Sequence, residues 1–482
     1  MSDKILREQE RFKTPSRSGS STSSDSDFIE NKREVAIIAA GMTQFGKARR
    51  DSTQEELVME AARMALFEND LNIDALDVKN MIDGTVVSYF SDHFEKQLLF
   101  GAIIRDYLGL NPLQSVRAEG GGATGGLGVK TGFEMVKSGD ADLVLVAGFE
   151  KMSEVSTSKG NEFIALASDT DFDYQVGGFY TAYYAAMANR YMYEFGITEK
   201  QLAKVAVKNR NNAQYNFFAQ TNAKNPFSTK STSGFITIND VYKSDVIATP
   251  LKRLDCCLMS DGAAVVLLAE KNLAKKLTKH PVSISGVGGG TDTMRPGDRP
   301  TIKGGLIKEN LLLPHEKAEW YENMVYPGLH SFRAGRKAAK MAYTMAGIKD
   351  PLKEIDVVEL HDAFTSSELQ TYEDLGLARY GEGGKFIDTG KFDDKKGVFE
   401  DINPKLGDRI HVNPSGGLIG CMHAVGATGI MQIGSVFWQI QNSIEKFYGS
   451  DKLQVKNAKR GLAHSHAGTG SDVTVFVLDK GW

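Results

Sequence analysis

The sequence predicts an α/β protein built twice, as two pseudo-symmetric layered halves with an inserted loop subdomain. Three observations lead there. Apolar strand-like runs alternate with amphipathic helix-like runs, one helix-turn-strand unit occurs twice, and a glycine-rich strand-to-helix loop lies downstream of each copy. The repeated unit is AARMALFENDLNIDALDVKNMIDG (Ala61–Gly84) in the first half and AAKMAYTMAGIKDPLKEIDVVELHDA (Ala338–Ala363) in the second, each with small residues on one helix face. A strand precedes each helix, EVAIIAAG (Glu34–Gly41) and PVSISGVGGG (Pro281–Gly290). A glycine-rich loop follows each unit, AEGGGATGG (Ala118–Gly126) and NPSGGLIGCMHAVGATG (Asn413–Gly429), and each half then reaches another apolar strand, ADLVLVAG or DVTVFVLD. Alternation of this kind favours a mostly parallel sheet with ligands at the strand C-termini, where the halves meet.

These elements give a Ser-rich tail at 1–33, a first half at 34–148 and 249–280, a loop subdomain at 149–248, and a second half at 281–482 that carries a charged surface excursion at 291–330. The tail, with its run SRSGSSTSSDSD, lacks the apolar surface to order itself. Segment 149–248 is too long for a connection and is rich in aromatics, as in YTAYYAAMANRYMYEFG.

Composition narrows the function. The 482 residues are 41% hydrophobic, with a formal net charge of −4 and a pI near 6.2, which argues against nucleic acid or an anionic membrane as partner. No apolar run is long enough for a membrane span, and three cysteines (Cys256, Cys257, Cys421) neither form a disulfide framework nor supply a CxxC zinc pair. The expectation is a cytoplasmic protein with no metal site and no cofactor. GxGxxG does occur, at Gly120, Gly122 and Gly125, but not in the half's first βα unit and without the acidic residue that a dinucleotide site requires after its second strand. A helix N-terminus at this place still suits an oxyanion or phosphate.

Histidines mark the chemistry. His361 directly follows the apolar run IDVVEL, His423 lies in the second glycine-rich loop, and His464 and His466 precede AGTG. A single histidine here reads as a structural one bonded to backbone; gathered at one crevice, neutral imidazoles act as bases or as donors to a developing oxyanion.

In the order GFEKMS, LMSDGAAVVLL, HDAF, NPSGGL…HAVGATG and AHSHAGTG, the chain from Glu34 onward resembles the thiolase superfamily, in its sterol-carrier-protein-2-type and archaeal-type branch. The resemblance implies a thiolase fold with layered αβαβα halves, a dimer, and acyl-CoA thioesters as substrates. The family's nucleophilic cysteine falls on Gly122, which has no side chain to acylate. Carried over residue by residue, His423 is the proton-transfer group, His361 the oxyanion-hole histidine, and His464 stands at the acid/base position of the last loop. Backbone N–H groups at Gly122 and near Gly468 supply a second oxyanion hole. Of the cysteines, only Cys421 is near enough in sequence to His423 to be considered as a substitute nucleophile.

Three functions follow from the resemblance. The first is C–C bond formation or cleavage on an acyl-CoA, of retro-aldol or Claisen type, without an acyl-cysteine. The second is slow acyl-CoA C-acyltransferase activity using CoA or a partner's thiol. The third is a non-catalytic acyl-CoA-binding subunit paired with an active homologue. The family also implies a small zinc-ribbon/OB-fold partner. Lys204, Lys208 and Arg210 suit CoA phosphates, although a solvated helix face explains them equally well.

Overall fold

Five strands of the first half and six of the second meet in one mixed sheet. The structure, a computed structural model, describes residues 33–228 and 233–482, so the Ser-rich tail, apart from Arg33, lies outside the described residues. In chain order the elements that position the site are β1 (Val35–Met42), α1 (Gln54–Phe67), β2 (Gly84–Ser88), β3 (Gln114–Ala118), α2 (Thr124–Ser138), β4 (Leu143–Lys151), α3 (Tyr180–Phe195), α4 (Glu199–Ala213) and β5 (Asp261–Glu270). The second half supplies β6 (Val282–Thr291), α5 (Arg333–Ala346), β7 (Val357–Glu359), α6 (Thr365–Asp374), β8 (Lys405–Leu406), β9 (Ile410–Val412), α7 (Val425–Gln441), β10 (Arg460–Ala467) and β11 (Asp472–Lys480).

The sheet runs β8-β9-β7-β10-β11-β6-β1-β5-β4-β2-β3. From the central β1–β6 contact outward, both halves repeat one pattern: two antiparallel pairings, then two parallel ones. β1 and β6 join the halves antiparallel, with Ala36 opposite Ser283 and Ile37 opposite Val282. The expectation of a mostly parallel sheet is therefore corrected to a mixed one. Strands buried on both faces carry no alternation from which direction could be read.

Helices α2 and α7 lie between the halves and share one core with both; α1 and α5 cover the outer faces. Here the glycine-rich runs find their use. α2 starts inside its run, at Thr124, and a Cβ on Gly125 would stand 2.8 Å from both the Gly426 carbonyl and the Gly429 amide of α7. A Cβ on Gly429 would lie 2.2 Å from the Gly126 amide, so the two central helices approach backbone to backbone. The outer helices use the same device. Cβ atoms on Gly286, Gly288 and Gly290 of β6 would meet the carbonyls of Ala342, Ala338 and Ala334 at 2.3, 1.9 and 2.2 Å, and one on Gly41 of β1 would meet the Ala61 carbonyl at 2.2 Å. The small faces of the repeated helix thus bring α1 and α5 directly onto the sheet.

Segment 291–330 has a small core of its own, with Leu306, Leu311, Tyr321 and Tyr326 packed on Tyr380. Buried Arg299 donates to the Ser331 carbonyl at 2.6 Å and to the Thr469 hydroxyl at 3.2 Å, fastening the loop that follows β10. No helix among the described residues is long and apolar enough to cross a membrane.

Gly288→Ala places a methyl against the Ala338 carbonyl, and we expect a loss of about 1–3 kcal/mol in chemical denaturation, the usual range for overpacking. Gly297→Ala, with nothing within 4 Å of its Cβ, serves as the neutral control.

Candidate functional site

The site forms where β3, β7 and β10 end. β7 is parallel to both β9 and β10, so the loops after them emerge on one side. Asn413, at φ 52°, accepts from the Leu360 amide at 2.8 Å and donates to Glu368 at 2.8 Å, tying the second glycine-rich loop to the end of β7. Glu359 accepts from the Ser415 amide and hydroxyl at 2.9 and 2.7 Å. Asp362 accepts from the Leu418 amide at 2.6 Å and from Asn209 at 2.7 Å. These buried carboxyls are raised by desolvation, Glu359 to about 8 and Asp362 to about 7, and they fix the chain on both sides of His361.

Four imidazoles gather above this floor. The His361 ring lies 4.2 Å from His466 and 5.1 Å from His423, centre to centre, and His464 is 5.5 Å from His466. Burial lowers every one of them: His423 to about 4, His464 to about 3, and His361 and His466 well below the usual histidine value, with the neighbouring imidazoles adding to the shift for the last two. All are neutral at pH 7.

The hydrogen bonds assign the tautomer of His423. Its Nδ1 lies 2.9 Å from the Thr428 hydroxyl, which spends its single proton on the Ala424 carbonyl at 3.0 Å. Nδ1 therefore carries the hydrogen and Nε2 is a bare base. His464 accepts from the His361 amide at 3.4 Å through Nδ1.

His361, His423 and His466, with Gly122, Cys257 and Phe364, line an inner chamber of about 150 Å³. A wider cleft of about 830 Å³, walled by Arg117, Glu119, His93 and Asp472, shares Phe90, Gly121, Ala167 and Gly468 with it. His464, two residues earlier on the same strand face as His466, does not line the chamber. Of the two histidines that precede AGTG, it is His466 that lines the chamber, although His464 is the one carried over as the acid/base position. Gly122 is the second residue of a short 3-10 turn, so its N–H has no partner within that turn. A Cβ there would lie 2.5 Å from the His466 carbonyl and 3.4 Å from His361 Nε2. Gly468, at φ 59°, accepts the Tyr184 hydroxyl at 2.9 Å.

The cysteines are placed differently from the order their sequence positions suggest. Cys421 is fully buried, takes a 3.4 Å contact from Asn216 and lies outside the chamber, whereas Cys256 and Cys257 line it. Burial pushes the Cys257 thiol up to about 12 and raises Cys256 as well. The cationic side chains proposed for CoA phosphates point inward. Lys208 is fully buried and paired with Glu368 at 3.0 Å, Lys204 pairs with Asp388 at 2.6 Å, and Arg210 reaches the Leu254 carbonyl at 3.4 Å. Burial lowers Arg210 to about 10. Among the described residues, no group of three or more His, Cys, Asp or Glu is arranged to hold a metal ion.

Comparisons with known proteins add to this geometry. Residues 35–272 match the family "Thiolase, N-terminal domain", and residues 321–480 match "Thiolase C-terminal domain-like". The chain is 34% identical to an acetyl-CoA acetyltransferase of Methanothermobacter thermautotrophicus, over 93% of this chain and 100% of that protein. It is 29% identical to benzoylsuccinyl-CoA thiolase subunit BbsB of Thauera aromatica, over 85% of this chain and 90% of that one, and 26% identical to human sterol carrier protein 2, over 93% and 72%. A solved structure titled Ltp2-ChsH2(DUF35) aldolase superposes with a TM-score of 0.67 at 22% identity, covering 93% of this chain and 98% of that chain, which shows a shared fold.

Three outcomes are expected. Gly122→Ala, with its methyl against the His466 carbonyl, should lower stability by about 1–3 kcal/mol in a denaturant titration. In the native protein a thiol reagent should reach Cys256 and Cys257 slowly, and Cys421 only after unfolding. Stability should peak at about pH 5–6 in thermal melts. Below the unfolded histidine value near 6.5, the unfolded chain takes up protons that the folded imidazoles refuse. Above the unfolded glutamate value near 4.5, the unfolded chain ionises carboxyls such as Glu150 and Glu359, which stay protonated in the fold up to about 8, so their stabilisation is lost as pH rises through that window.

Proposed function

The chain belongs to the thiolase superfamily, and we propose that it makes or breaks a C–C bond of an acyl-CoA without forming an acyl-cysteine. The observation that carries this reading is Gly122: the His466 carbonyl stands 2.5 Å from where a side chain would begin, in a chamber whose imidazoles are held neutral. The nearby thiol of Cys257 is pushed up to about 12 by burial and is a poor thiolate source at neutral pH.

In the condensing direction, the bare Nε2 of His423 takes a proton from C2 of the acyl-CoA. The resulting enolate oxygen meets His361 Nε2–H and the Gly122 N–H. The carbanion carbon attacks the carbonyl of a ketone or aldehyde, and the new alkoxide recovers the proton from His423, giving a 3-hydroxyacyl-CoA. Cleavage is the reverse. No charge is held on His423 between turnovers, which suits a site this dry.

We further propose two partners. The edge strand β3 has mostly exposed residues, with Val116 exposed and Leu98 and Leu99 exposed nearby, and fits a second copy of the chain. A small zinc-ribbon/OB-fold subunit fits the likeness to two multi-component proteins, an aldolase whose name includes a DUF35 component and a thiolase subunit.

Incubation with a 3-hydroxyacyl-CoA, and separately with a 3-ketoacyl-CoA with and without CoA, tests the reading by mass spectrometry of the products. Release of a ketone or aldehyde from the hydroxy substrate is expected, with turnover falling by about 10²-fold or more in His423→Ala while acyl-CoA still binds. CoA-dependent cleavage of the keto substrate alone would overturn it.

A further inference from the structure

Tyr184 reaches the chamber from α3, in the inserted segment, and is fully buried with its ring stacked on Phe364 at 4.4 Å. Its hydroxyl lies 2.7 Å from His466 Nε2 and donates to the Gly468 carbonyl at 2.9 Å. One hydroxyl has one proton. With that proton on Gly468, the contact to His466 requires the imidazole to donate, so the hydrogen of this neutral ring sits on Nε2 and Nδ1 is left as a bare acceptor. Nδ1 is buried and has no protein donor.

A histidine serving only as a latch between α3 and the loop after β10 would use Nε2 in the same way, but it would gain nothing from a second nitrogen buried without a partner. A ligand group that donates a hydrogen bond satisfies that nitrogen. A carbonyl oxygen, facing it lone pair to lone pair, does not.

We propose that His466 is a specificity-determining residue that selects acyl-CoA ligands bearing a hydroxyl at C3 over those bearing a ketone, and that Tyr184 is its positioning residue, fixing the tautomer. This rests on the acyl-CoA reading of the chamber. His423 moves the proton in the reaction; His466 reads the group.

The test is equilibrium binding of 3-hydroxybutyryl-CoA and acetoacetyl-CoA by calorimetry on the full chain, together with nitrogen-15 NMR of the labelled histidines. The native protein should bind the hydroxy ligand about tenfold more tightly, the worth of one neutral hydrogen bond. His466→Leu and Tyr184→Phe should each bring that ratio close to one. In the NMR spectrum His466 should show hydrogen on Nε2 in the native protein and mixed tautomers in Tyr184→Phe, a change that loss of a latch alone would not produce. Equal native affinities for the two ligands would overturn the proposal and leave the acyl-CoA reading standing. So would a preference that survives both substitutions in variants whose melting curves show them folded. Failure of either ligand to bind would overturn both.

Discussion

Desolvation governs this molecule. Four imidazoles share one small space because burial makes protonation of any of them unfavourable, and a single imidazolium there would repel its neighbours' uptake of protons further. Neutrality frees one nitrogen on each ring to accept and one to donate, and the hydroxyls of Thr428 and Tyr184 decide which is which for His423 and His466. The chemistry open to such a site is proton transfer and hydrogen-bond donation in a low-dielectric space, where both are stronger than in water.

The rest of the fold serves that space. The second glycine-rich loop is held to the end of β7 because Glu359 and Asp362 accept from its Ser415 and Leu418 amides and its own Asn413 accepts from the Leu360 amide, and Lys208 supplies the buried countercharge for Glu368. A lysine on α4 that looks available for phosphate in the sequence is thus committed to the buried Glu368 carboxylate under the site. Backbone contact between α2 and α7 sets the position of Gly122 against His466, and the fold leaves little room there for a side chain.

The parts of the fold legible in the sequence are those where close packing left a compositional trace. The small faces of the duplicated helix and the glycines of β1 and β6 are two sides of one contact, so the α/β class and its internal repeat could be read from residue type. Strand direction could not, because strands buried on both faces look alike whichever way they run. In the site, the distinction between His464 and His466 depends on how far each lies from the end of β10, which alternation does not measure. Tyr184 stands more than 280 residues from His466 in sequence, so no local spacing points to the pair. The place of Cys257 in the chamber wall is likewise tertiary, since its amide pairs with the Ala363 carbonyl beside the HDAF turn.

The most direct test is intact-mass spectrometry of the protein quenched during turnover of an acyl-CoA. If the bond chemistry needs no covalent intermediate, the mass of the chain is unchanged at every quench time while product accumulates. An adduct of acyl mass that forms and decays with turnover, mapped to Cys256 or Cys257, would contradict it and make one of those thiols the nucleophile.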